Sequence, residues 1–150
     1  MQLVKNKRAF FDYTLGEKYT AGVVLSGQEV KSLRQGHASL VGSHVVILDN
    51  EAFLLNAQIS AYSFAKTDEY DPKRTRKLLL KKREIAQLAE ALQQKGWTVV
   101  PLSFELLHNR IKLTLALARG KKQFEKRSVL KARAIERDTR KAFKDKVNLR

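Results

Sequence analysis

The chain has 150 residues, 30 of them Lys or Arg and 15 Asp or Glu, for a formal net charge of +15. That length suits one domain, and a hydrophobic fraction of 43% supports a core, which excludes a wholly disordered basic chain. There is no cysteine, so a disulfide scaffold, a thiolate metal site and a cysteine nucleophile are excluded. No apolar run approaches the roughly 20 residues of a membrane span, and the opening MQLVKNKRAFFDY has no apolar signal core. A non-secreted, cytoplasmic protein with a polyanionic partner is the expectation.

Residues 19–25 (YTAGVVL) form a β-rich run ending at Ser26-Gly27. Ser26 followed three residues later by Glu29 is a capping box, in which serine oxygen and glutamate carboxylate each take an orphan backbone N–H. It opens a helix of two to three turns with Val30 and Leu33 facing inward and Gly36 as its stop. Residues 44–48 (HVVIL) and 52–59 (AFLLNAQI) flank Asp49-Asn50 and read as a hairpin. A polar loop over 60–74 holds Asp68, Glu69, Asp71 and Pro72, and a short apolar element follows at 76–80 (RKLLL). Ile85, Leu88, Ala89 and Leu92 then fall on one face of a second helix over 82–95, with Gly96 as its stop. The last pair is clearest: Val100, Leu102, Phe104 and Leu106, then Ile111, Leu113, Leu115 and Leu117, alternate with polar or small residues around His108-Asn109. That pattern predicts a hairpin with one buried and one wet face, and Pro101 predicts a local edge position.

About six short strands with two embedded helices are most economically closed as a mainly β, OB-like antiparallel barrel. Charge divides the chain after Ala118. Residues 1–118 hold 17 basic and 11 acidic side chains (+6), and residues 119–150 hold 13 and 4 (+9). The second segment has too thin an apolar stripe for a core. It reads as a basic C-terminal tail, disordered alone or helical against a partner. Residues 1–118 are therefore expected to be an RNA-binding barrel.

Chemistry beyond binding finds little support. The histidines His37, His44 and His108 lack metal-ligand spacing, and an RNA-cleaving pair of His37 with His44 is a minor alternative. The acidic group Asp68, Glu69, Asp71 lacks calcium-loop spacing and reads as loop turns and caps. No phosphate-binding Gly loop is present. No catalytic residue, metal or cofactor is expected. The basic runs are more informative: Asn6, Lys7 and Arg8; Lys31 and Arg34, three apart on one helical face; 73–83, including Arg76 and Lys77; Lys112 on the wet face of the last strand; and 119–127, with Lys121 and Lys122. Such arrays suit phosphates. Phe10, Phe11 and Tyr13 beside them could stack on unpaired bases or pack in the core as part of a first strand.

The ordered segments NKRAFFDY, YTAGVVLSGQEVKSLRQGHASL, DPKRTRKLLLKKREI and ALARGKKQFEKR resemble the small protein B (SmpB) family, along nearly the whole chain. The resemblance implies an OB-fold barrel that binds the tRNA-like domain of transfer-messenger RNA (SsrA RNA), one copy per RNA, and helps bring it to stalled ribosomes for trans-translation. The family's RNA-binding glutamate falls on Glu29, its functional strand lysine on Lys112, and a leucine implicated in RNA binding on Leu88. The family's tail Asp-Lys-Arg is Glu125, Lys126 and Arg127 here, and an apolar pair near its end falls on Ala142 and Phe143. Arg133 and Arg137 are further candidates for the ribosome-contacting tail. A histidine that many relatives carry toward the decoding region is Phe11 here, which keeps stacking and loses hydrogen bonding. A structural ribosome-binding barrel independent of transfer-messenger RNA is the alternative.

Overall fold

A computed structural model describes residues 1–62 and 70–120. In chain order the elements are β1 (Gln2–Lys5), α1 (Lys7–Asp12), β2 (Tyr13–Val23), α2 (Gly27–Arg34), β3 (Ala38–Ser39) and β4 (His44–Leu48). Then come β5 (Glu51–Leu55), β6 (Gln58–Ile59), β7 (Arg76–Leu79), α3 (Lys82–Leu92), β8 (Trp97–Leu107) and β9 (Arg110–Gly120). Asp68 and Glu69 lie outside the described residues, as do Lys121, Lys122, Glu125, Lys126, Arg127, Arg133, Arg137, Ala142 and Phe143.

Seven strands form one antiparallel sheet in the order β1-β8-β9-β2-β7-β5-β4, and β3 pairs with β6 in a second, two-stranded sheet. The sheet curls until β4 approaches β8, with no ladder between them, which makes a partly open barrel. Its interior holds Tyr19, Ala21, Leu54, Leu78, Val99, Phe104, Ile111, Leu113 and Leu115. Leu33 of α2 and Ile85 and Leu88 of α3 complete that core.

The mainly β barrel is thus as the alternating runs predict, with nine strands rather than about six and three helices rather than two among the described residues, and with β2, β8 and β9 longer than short strands at eleven residues each. The extra helix, α1, occupies residues read as a candidate first strand. Asn6 starts it, its Oδ1 accepting from the Ala9 N–H at 3.3 Å, and six residues are too few to display a helical period. Strand β2 begins at Tyr13 rather than Tyr19, because residues 13–15 pair with 118–120 of β9. The run 52–59 breaks at Asn56, whose φ of 62° ends β5 before β6 starts.

The β8–β9 hairpin departs from a simple wet and dry alternation. A bulge between Pro101 and Ser103 shifts the register, so Val99 and Phe104 point into the main core while Val100 and Leu102 point outward. On the outer face they meet Ala116 and Ala118 of β9, and Ala9 of α1 covers all four as a second, smaller core. Strand β8 lies between β1 and β9, but the last β1 pair is Lys5 with Ser103, so at Pro101 the strand has a ladder partner on its β9 side alone, the local edge position expected, next to the bulge.

Candidate nucleic-acid interface

Cross-strand register assembles the basic side chains. Lys112 stands directly between Glu105 of β8 and Gly22 of β2, and Gly22 stands beside Leu79 of β7. Directly paired residues share a face, and so do residues two apart on a strand. Lys112, Leu79 and Lys77 therefore lie on one outer face, with Lys18 and Thr20 of β2 beside them. Gly22 keeps this face low: a Cβ there would stand 3.2 Å from the Leu79 Cβ. Lys77 is exposed and pairs with Glu51 at 3.2 Å. Lys112 is half-buried, and its neighbour Glu105 is engaged by the Thr114 hydroxyl at 3.2 Å.

Helix α1 caps the same face four residues further along β9, about 13 Å from Lys112. It presents Lys7 and Arg8 to solvent, Arg8 bridging to Asp12 at 3.3 Å. Phe11 is 77% exposed and Phe10 is 40% exposed, with the Lys5 ammonium 4.9 Å from the Phe10 ring centre. Neither ring packs in the core as a first strand would have placed it. Asn6, expected at the interface, is instead buried: Nδ2 donates to the Pro101 carbonyl at 2.9 Å and to Leu40 at 3.4 Å. It fastens the start of α1 to the barrel.

Helix α2 forms because both halves of its capping box close. Ser26 Oγ accepts from the Glu29 N–H at 3.3 Å, and Glu29 Oε1 accepts from the Ser26 N–H at 2.8 Å. Gly36, at φ +74°, ends it in a Schellman turn, with His37 N–H to Ser32 carbonyl and Gly36 N–H to Leu33 carbonyl. Lys31 and Arg34 are exposed on it, and the Lys31 ammonium lies 5.4 Å from the Tyr62 ring centre.

Beneath this surface sits a charged cluster that sequence reasoning did not resolve. Glu29 and Arg76 are both wholly buried. Arg76 Nε donates to Glu29 Oε2 at 2.7 Å, Nη1 to the Ala57 carbonyl at 2.7 Å and Nη2 to the Pro72 carbonyl at 3.0 Å. Arg74 Nη2 reaches Glu29 Oε1 at 2.5 Å and the Val24 carbonyl at 3.3 Å, while its side chain stays 43% exposed. Burial pushes the Glu29 carboxyl up, but the Ser26 N–H and the two guanidinium groups outweigh it and hold the group below its ordinary range. Both side chains expected to touch RNA here are thus withheld from the surface in this conformation. Leu88, where the resemblance places a leucine implicated in RNA binding, is likewise fully buried, in the main core.

Lys18, exposed on β2, is a cation that sequence reasoning did not single out, while Lys73 and Arg74, also exposed, lie within the basic run 73–83. Lys18 was signalled by its even spacing from Thr20 and Gly22. Among the histidines, His37 closes α2 and its carbonyl accepts from the Ser60 N–H, while His108 sits at φ 50° in the β8–β9 turn. Among the described residues no group of three His, Asp or Glu side chains is placed to hold a metal, and no helix is long and apolar enough to cross a membrane.

The family model described as SmpB protein matches residues 3–145. The chain is 46% identical over 144 residues to the SsrA-binding protein of Sulfurihydrogenibium sp. (strain YO3AOP1), covering 96% of this chain and 95% of that one. It is 44% identical over 142 residues to the SsrA-binding protein of Treponema denticola, covering 95% and 92%. Among solved structures, a chain from "tmRNA-SmpB: a journey to the center of the bacterial ribosome" matches with a TM-score of 0.71 at 42% identity, over 84% of this chain and 89% of that one. Likeness in sequence runs from β1 into the basic tail rather than through one motif, and likeness in fold accompanies it: the chain belongs to the SmpB family.

Proposed function

We propose that this chain is a non-catalytic, cytoplasmic RNA-binding protein that holds the tRNA-like domain of transfer-messenger RNA and delivers it to stalled ribosomes for trans-translation. The observation that carries this reading is the near full-length likeness to SsrA-binding proteins, on a barrel whose outer face gathers Lys18, Lys77 and Lys112 next to α1. Those cations, with Lys7, Arg8, Lys31 and Arg34, neutralise phosphates and set orientation. Phe11 offers a ring for stacking at the decoding region. The +9 segment from 119 onward, including Lys121, Lys122, Glu125, Lys126, Arg127, Arg133, Arg137 and Phe143, follows ribosomal RNA along the message path. The family-wide naming for SsrA disfavours a barrel that works on ribosomes without that RNA.

The test is binding of a transcribed tRNA-like domain against a generic RNA duplex of equal length. Selective, salt-sensitive binding is expected, and equal affinity for both RNAs overturns the reading. Strand β9 runs to Gly120, so a truncation after Gly120 keeps the sheet whole. It is expected to retain RNA binding and to lose peptide tagging on stalled ribosomes. Loss of both activities together overturns the division into barrel and tail.

A further inference from the structure

The buried cluster contains two guanidinium groups and one carboxylate. Arg76 spends its donors internally, on Glu29, Ala57 and Pro72. Arg74 does not share its environment: its side chain is 43% exposed, and Glu29 grips it at Nη2 only. Its Nη1 makes one long contact, 3.4 Å to the Thr75 carbonyl. The guanidinium is thus tethered on one side and open on the other, and the single carboxylate leaves the cluster with an excess positive charge at its exposed end. The tether also reaches the Val24 carbonyl at the end of β2, one residue beyond the Val23–Leu78 pair and on the margin of the face that carries Lys77 and Lys112.

We propose that Arg74 is a phosphate-contacting residue of the RNA interface and that Glu29 is its positioning residue, acting on RNA through Arg74 rather than by touching it. A planar guanidinium whose orientation is fixed beforehand meets phosphate oxygens with less ordering cost than a free side chain. Glu29 performs this from a site closed to solvent, and Arg76 keeps Glu29 ionised and aligned. This rests on the RNA-binding reading above.

The test measures binding of the transcribed tRNA-like domain by the full chain as a function of salt, for wild type, Arg74→Gln, Glu29→Gln and the double variant. Arg74→Gln is expected to weaken binding about three- to tenfold and to flatten the slope of log K against log salt by about 1, the signature of one lost phosphate contact. Glu29→Gln is expected to flatten the slope when Arg74 is present and to leave it unchanged in the Arg74→Gln background. A purely structural Arg74 would lower thermal stability and leave the slope alone. If Arg74→Gln does not fold, Arg74→Lys carries the test: the slope is expected to persist with weaker binding, and wild-type affinity overturns the proposal. Wild-type binding with a slope indifferent to Arg74 overturns this inference alone. No binding by wild type overturns the functional reading, and this inference with it.

Discussion

Asn6 and Glu29 show how a polar side chain in a basic motif can serve the fold. Each sits among residues that read as RNA-contacting, and each is buried with its hydrogen-bonding groups engaged inside the protein. Asn6→Ala removes a helix cap and leaves the Pro101 carbonyl short of a donor, so a loss of about 1–3 kcal/mol in urea unfolding is expected. Glu29→Gln strands a buried guanidinium, for which about 3–5 kcal/mol is expected. The pH dependence has a definite sign. The folded Glu29 carboxyl lies below its unfolded value, so its stabilisation is complete above the ordinary glutamate pKa of about 4.3 and lost as pH falls through the folded value. Unfolding curves for wild type and Glu29→Gln should therefore converge on acidification. A difference that stays constant across that window contradicts the ionised pair.

At the scale of elements, what could be read from the sequence was what rests on local chemistry. The Ser26–Glu29 box and the Gly36 stop bound α2, because both signals act within a few residues of the chain. The two hairpin turns, Asp49-Asn50 and His108-Asn109, place four residues at positive φ, where Asn and Asp are comparatively tolerated. Helix α1 was hidden because its packing is against β8 and β9, about a hundred residues away, and its own six residues carry no period. The outward turn of Val100 and Leu102 was hidden for a related reason: a bulge inverts the phase of a strand, and nothing in an alternating run announces it. The interface divided similarly. Its cations were visible as runs, but Arg74 and Arg76, two apart on a chain entering a strand, exchange roles through burial alone. Gly96 offers a test of a local signal. Its φ is +89° and a Cβ there meets only the Arg119 Nε at 3.7 Å, so Gly96→Ala should cost about 1–2 kcal/mol in thermal unfolding from backbone strain alone. A neutral result would mean the turn after α3 readily adopts another shape.

Across the whole molecule, the +15 charge resolves into a barrel that distributes its cations over α1, α2, β2, β7 and β9, and a segment that concentrates them by sequence. Among the described residues the barrel has three apolar centres. The large one lies inside the sheet, another gathers Val46, Leu48 and Leu55 of β4 and β5, and a small one lies outside the sheet beneath Ala9. Three of the five buried side chains in the small centre are alanines, which lets α1 lie close to the sheet. Helix and barrel therefore draw on separate stores of stability. In native-state hydrogen exchange, the amides of α1 should open at a fraction of the free energy that releases the β8–β9 ladder. The exposed ring of Phe11 is then carried on the element expected to open first, so it is expected to be repositioned while the β8–β9 ladder stays paired.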